Sequence, residues 1–394
     1  MFRSSLSLSA INIVASASSY ILTVYLMKAF NLEVFGYYSY VLVFSSFYSI
    51  LMVYATDQTT TRNFFKRSEN SDVFTEVVFF RLAMLVVGAV ILSFFYDYTF
   101  IIGFVAFCLP SLNISYGYEA RSRNFKYALI FLAERLLYSL LVFLIFNYVE
   151  PNLLVLFFVL IIVSLLSFVY QFFDLNLCFK WRLFDFVLPL KIVRENSSMM
   201  LATLALFSYG GFSRLILEHN SDYEMLALYS AAWQFVMLGT LFQTQIERIF
   251  RPKISNIENL LKSYGALIKL YFYHAFVPML FFSVFVFCFG ADLFLLIVGE
   301  KYAGSQYLIK IFALYFLVIS VDSLLRMIYL KLHLDDTYRN IQVLFALLLL
   351  VVLLLVGDVS VTVFALLVCV SHSVATVISA VFILFFNRNV VHET

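Results

Sequence analysis

Along this chain, apolar runs about as long as a bilayer is thick alternate with short polar stretches. A helix needs roughly 20 apolar residues to cross about 30 Å of hydrocarbon. That ruler predicts about twelve spans, at 7–28, 36–56, 74–96, 99–118, 127–147, 152–173, 197–217, 225–246, 265–289, 303–328, 340–357 and 360–386. The runs are continuous, which excludes an outer-membrane barrel built from alternating strands of about ten residues. The predicted fold class is therefore all-α and integral to the membrane.

The polar stretches predict an orientation. Basic residues gather in alternate ones, at Arg62 to Arg67, Arg121 to Lys126, Lys180 to Arg194, Arg248 to Lys262 and Lys331 to Arg339. The intervening stretches hold Lys28 and Lys301, beside Glu150, Glu218, Asp222 and Glu224. By the positive-inside rule the basic side is cytoplasmic, and Arg3 and Arg388 put both termini there. An even number of crossings follows. Ala15-Ser16-Ala17 imitates a signal-peptidase site, but Ser7, Ser9 and Asn12 interrupt the run before it, so the first helix is read as uncleaved. Composition agrees with the spans: 63% of residues are hydrophobic and 13% charged, too apolar for a water-soluble fold of this length. The cysteines Cys108, Cys178, Cys288 and Cys369 are scattered and indicate neither disulfides nor a metal site.

The segment VFGYYS at 34–39 returns in worn form as MLALYS at 225–230. Laying 198–230 over 7–39 matches Ser7 with Ser198, Glu33 with Glu224, Tyr38 with Tyr229 and Ser39 with Ser230, without a gap. The same register lays the first span on the seventh and the second on the eighth. A duplication of six helices gives two copies of like orientation, related by an axis along the membrane normal. The expected domains are a six-helix bundle over 1–174, a cytoplasmic linker helix over 175–196 and a second six-helix bundle over 197–394. In the first helix, Ser5, Ser9, Asn12, Ser16, Ser19 and Thr23 fall on one face. This stripe reads equally as close helix packing or as the wall of a wet cavity.

Ionisable residues inside spans are costly and need a partner or water. Those here are Arg81, Glu134 with Arg135, Arg214, Lys269, Lys310, and Asp322 with Arg326. Lys269 is placed to snorkel to the interface. Asp322 and Arg326 stand one turn apart, as a local ion pair would. Arg81 and Glu134 lie at matching depth, which suits a salt bridge between them as well as a substrate role. Arg214 is the leading candidate for anionic cargo, with Glu218 as the competing partner. No catalytic constellation emerges: His219, His274, His333, His372 and His392 are isolated, no glycine-rich phosphate loop occurs, and the outer stretches are short. Nothing points to a cofactor, a metal or nucleic acid.

Three segments resemble a known family. NLEVFGYYSYVLVF, with DQTTTRNF carrying Asp57 and Arg62, is similar to the start of the polysaccharide flippases, the O-antigen transporters of the multidrug/oligosaccharidyl-lipid/polysaccharide (MOP) exporter superfamily. PSLNISYGYEARSRNFKYALIFLAERLL resembles their fourth-to-fifth helix region at Pro110, Gly117, Glu119 and Arg135. VGEKYAGSQYLIKIFAL resembles their entry into the tenth helix at Gly299, Glu300 and Tyr302. The resemblance implies a V-shaped exporter fold in a bacterial inner membrane, working by alternating access. It implies a substrate of undecaprenyl-diphosphate-linked oligosaccharide, moved from the cytoplasmic to the periplasmic leaflet, with H+ or Na+ coupling. A polysaccharide polymerase and glycosyltransferases are the implied partners, besides membrane lipids. On that reading Arg214, Arg81, Asn12 and Ser16 meet substrate, and Glu134 and Asp322 couple ions. A multidrug exporter of the same superfamily, a membrane polymerase and a scaffold protein are the rivals.

Overall fold

The computed structural model describes residues 2–54, 56, 72–121, 123–177, 196–197, 200–201, 203–255, 260–332, 334–355 and 360–393. Within them every regular element is helical, and ten helices are long and apolar enough to cross a membrane. The chain is a multi-pass membrane protein. The expected spans at 197–217 and 225–246 each include residues whose side chains are not described. The Asp57 and Arg62 motif and most of the expected linker also lie outside the described residues. Internal contacts divide the chain into two compact units, Met1–Leu204 and Ala205–Thr394.

The first unit holds α1 (Phe2–Ala29), α2 (Leu32–Val53), α3 (Asp72–Leu92), α4 (Tyr98–Cys108), the short α5 (Ser115–Ala120), α6 (Asn124–Phe146) and α7 (Leu153–Asp174). Side-chain oxygens of Asn31, Asp97 and Asn152 cap α2, α4 and α7 by accepting from backbone N–H groups of the first turn, which satisfies donors that a helix start leaves open. Helix α1 packs on α6, and α4 packs on α2 and α7.

The run at 99–118 is not the continuous helix its apolarity predicts. Pro110 lacks an N–H, and the chain tightens into a 3₁₀ turn at Leu109–Leu112 before α5 resumes. A broken helix inside a bilayer must have its freed polar groups met by the protein. Arg81 on α3 does so, its Nη1 donating to the carbonyls of Ser111 and Asn113 at 2.9 and 3.2 Å. Gln171 on α7 accepts from the Ile114 N–H at 2.9 Å.

The second unit holds α8 (Ser213–Asn220), α9 (Tyr223–Ser255), α10 (Leu260–Tyr271), α11 (Val277–Phe285), α12 (Ala291–Val298), α13 (Gln306–Lys331), α14 (Asp335–Leu355) and α15 (Val361–Glu393). Helix α13 is central, packing on α9 and α15, with α14 against α15. π-turns at Phe272–Phe276 and Val286–Gly290 join α10, α11 and α12. Pro278 follows the first of them, where a missing N–H and ring crowding oppose a regular α-turn.

The expected ninth span stopped at 289. The helical path instead runs on to Val298, with Asp292 exposed. Gly299 ends it with φ 105 and ψ 165, a left-handed φ that glycine adopts without strain. A 3₁₀ turn at Glu300–Ser305 then leads directly into α13.

Candidate functional site

In the second unit four segments bring polar side chains together around Asp322, midway along α13. The carboxylate is 6% exposed. Tyr338 on α14 donates its hydroxyl to both oxygens, at 2.8 and 2.9 Å, and Gln342, one turn on, donates to Oδ1 at 3.2 Å. Arg326 adds positive charge from α13 itself. On the other side His372 of α15 places Nε2 3.8 Å from Oδ2. The imidazole is fixed by Tyr315, whose hydroxyl lies 2.6 Å from Nδ1, and by the ring of Tyr209, stacked on it at 4.3 Å. Tyr209 also donates to Gln342 Oε1 at 3.2 Å, which closes the network.

Tyr209 reaches His372 from a third π-turn, Ser208–Phe212, which precedes α8. π-turns occur often at functional sites, and here the sequence SYGGF makes room for one. A Cβ on Gly210 would collide with the indole of Trp233, and one on Gly211 with the ring of Phe207. Arg214 follows directly. Its Nε donates to the Gly210 carbonyl, and its guanidinium lies over Trp233, 5.6 Å from the ring. Its terminal nitrogens make no hydrogen bond among the described residues. Glu218 does not pair with it; that carboxylate accepts from Tyr223 and lies beside His219.

The first unit places its expected site residues apart from one another. Arg81 is 1% exposed, and besides the two carbonyls it donates to Thr56 Oγ1 and lies 4.9 Å over the ring of Tyr116. It does not meet Glu134. That residue is 8% exposed, has no hydrogen bond or ion pair among the described residues, and lines a groove of about 450 Å³ between α6 and α7. The groove wall is otherwise mostly apolar, with Leu129, Leu137, Val163 and Leu166, and ends at Lys126, which pairs with Asp174. Arg135 lies 5.0 Å over the ring of Phe131. On the polar stripe of α1, Asn12 and Ser16 are half-buried, whereas Ser19 and Thr23 donate to carbonyls of their own helix. Ser18, off the stripe, makes the hydrogen-bonded contact to Ser139 of α6, at 3.0 Å. The stripe is thus not the face that packs on α6.

Sequence reasoning read His372 as isolated and passed over Tyr209, Tyr338 and Gln342. One signal was available for two of them. His372 and Gln342 lie inside apolar runs, where any strongly polar side chain needs a partner, and the reading of Asp322 as paired with Arg326 on its own helix left it out of that search.

No protein-family model matches this sequence, and no curated protein is similar to it in sequence. In structure it is similar to a multidrug resistance MATE family transporter of the MOP superfamily in an inward-facing conformation, with a TM-score of 0.71 and 12% identity over 94% of each chain. It is similar also to MATE in the straight conformation, with a TM-score of 0.61 and 11% identity over 100% of this chain and 96% of that one. A third likeness is to a MOP superfamily transporter from Pyrococcus furiosus, for which the reverse polarity of its binding pocket suggests a different function. There the TM-score is 0.60, with 12% identity over 98% of this chain and 95% of that one. At these identities the likeness is one of fold, and it runs nearly from end to end: this chain has the fold of the MATE transporters of the MOP superfamily.

Proposed function

We propose that this protein is a secondary transporter of the MOP kind, driven by a cation bound at Asp322, that exports amphipathic small molecules. The observation that carries the reading is the buried carboxylate of Asp322, held by residues of α13, α14 and α15 inside an apolar bundle. A full charge there is costly, so loading it with a cation changes the energy of its surroundings by kilocalories, enough to bias one conformation over another. The structural neighbours named as multidrug transporters support small-molecule cargo. The basic alternate stretches support an inner-membrane orientation with cytoplasmic termini.

A second reading, export of undecaprenyl-diphosphate-linked oligosaccharide, is favoured by Arg214. Its guanidinium is half-buried, seated on Trp233 and uncommitted at its outer nitrogens, and a planar fork of that kind suits a diphosphate. Partners on this reading are the polymerase and glycosyltransferases that use such lipids. Two assays in cells separate the readings: efflux of a fluorescent organic cation, and restoration of surface glycan to a strain without its own flippase. The first reading expects efflux that Asp322→Asn abolishes. Glycan restored without efflux selects the second reading, and activity in neither assay sinks both.

A further inference from the structure

The shell of Asp322 is made of hydrogen donors. The Tyr338 hydroxyl and the Gln342 amide both turn hydrogens toward the carboxylate. A hard metal cation takes about six or more oxygen ligands, and among the described residues no three acidic, histidine or cysteine side chains gather anywhere. The shell has one gap. His372 Nε2 faces Oδ2 across 3.8 Å, too far for a hydrogen bond, and this buried nitrogen has no partner among the described residues. Nothing about the ring is loose, since Tyr315 holds Nδ1 and Tyr209 covers a face. In the tautomer whose Nδ1–H donates to Tyr315, Nε2 and Oδ2 are two basic atoms with no hydrogen between them, and their repulsion holds the distance open.

We propose that the Asp322 and His372 pair binds one proton in preference to sodium, shared between Oδ2 and Nε2, and that Thr376 and Ser379 conduct it along α15. The step transfers a proton from hydronium to the facing lone pairs: one O–H bond of hydronium breaks, a bond to Oδ2 or Nε2 forms, and a water molecule is left. The gap closes to hydrogen-bond length, and the pair gains one positive charge. This rests on the transporter reading for its purpose, though not for its chemistry.

The path is read from a second set of buried atoms. His372, Thr376 and Ser379 stand at i, i+4 and i+7, on one face of α15. The hydroxyls of Thr376 and Ser379 are buried and have no hydrogen-bond partner among the described residues. Buried hydroxyls without partners are rare. Two in a row along the helix from His372 form a line of groups that both donate and accept. Ser379 lies about 10 Å along the axis from His372, beside Tyr329, whose hydroxyl binds the Ser379 carbonyl at 2.9 Å. The ionisable groups that face the pair are Arg326 from α13 and the phenols of Tyr338, Tyr315 and Tyr209, with Tyr229 and the Cys369 thiol lying beyond Tyr315.

The test is infrared difference spectroscopy on the purified full-length protein, titrated from about pH 9 to about pH 5. A carboxylic-acid C=O band is expected to grow on acidification, to vanish in Asp322→Asn and to shift its midpoint by at least about one pH unit in His372→Gln. Replacing potassium with sodium is expected to leave it unmoved. After a pH jump, the double variant Thr376→Val with Ser379→Ala is expected to keep the midpoint but load at least about tenfold more slowly. A band that sodium displaces, or that ignores His372→Gln, overturns the proton site. An unchanged loading rate overturns the path. None of these readings needs cargo, so a protein that titrates as expected but exports nothing sinks the transporter reading alone.

Discussion

The indole of Trp233 occupies the space that a side chain on Gly210 would need. One glycine in α8's π-turn thus sets how closely α9 approaches, and through Trp233 it sets where the Arg214 guanidinium rests. Gly210→Ala is expected to force the two segments apart at a cost of about 1–3 kcal/mol. Thermal unfolding in detergent and the position of the Trp233 fluorescence maximum read this directly. Gly265→Ala is the control: a Cβ there meets nothing within 4 Å, and replacing a helical glycine in open space should be neutral or slightly stabilising.

Arg81→Leu removes the donors that satisfy the break after α4. The Ser111 and Asn113 carbonyls and the Thr56 hydroxyl then lose a partner, at about 1–3 kcal/mol for each one left buried. Folded yield and melting temperature should fall together. Arg81→Lys is expected to recover only part, because an ammonium cannot span carbonyls and a hydroxyl with a planar fork. If transport per folded molecule in Arg81→Lys is lost outright, Arg81 handles cargo rather than the helix break.

On the glycan reading, Arg214→Ala is expected to lower glycan export by at least about tenfold with little change in melting temperature, and Arg214→Lys to restore a fraction. The charge-swapped pair Arg214→Glu with Glu218→Arg is expected to stay inactive, because Glu218 is held by Tyr223 instead. Full activity in the swapped protein would return Arg214 to the scaffold.

Glu134 gives a chemical prediction. Its carboxyl has no partner among the described residues and lines an apolar groove, where a membrane-soluble carbodiimide can reach it. Peptide mass spectrometry should find more adduct at Glu134 than at Asp322, whose oxygens are engaged. An adduct at Asp322 alone would mean that its network opens more readily than the groove.

For orientation, reporters fused after Lys126, Lys191 or Arg251 are expected to read cytoplasmic, and those at Asp222 or Asp358 periplasmic. Cytoplasmic readings at both Lys191 and Asp222 would remove the seventh span and with it the duplication.

Most of the helical architecture was legible because bilayer length and apolarity are properties of single segments. The site was less legible, for a reason visible in two pairs. Arg214 and Glu218 are correctly spaced to meet on one helix, yet Tyr223 from the next helix takes the carboxylate. Asp322 and His372 lie on α13 and α15, and only the packing of those helices brings them to 3.8 Å. Local spacing lists which contacts are possible, whereas tertiary packing chooses among them. Pro110 sits between these cases. Its presence marks a break, but nothing near it in sequence says that Arg81, from another helix, meets the freed carbonyls.

The three π-turns all fall in the second unit among the described residues. Each stores one surplus residue within a helix. Moving that surplus by a turn rotates only the stretch between its old and new positions, by about 100°, and leaves both ends of the helix in place. In Ser208–Phe212 the stretch that would turn carries Tyr209, and the rotation would lift its ring from His372. Slippage of that kind inside one helix would re-aim Tyr209 with no need to unfold the helix or to drag its neighbours along.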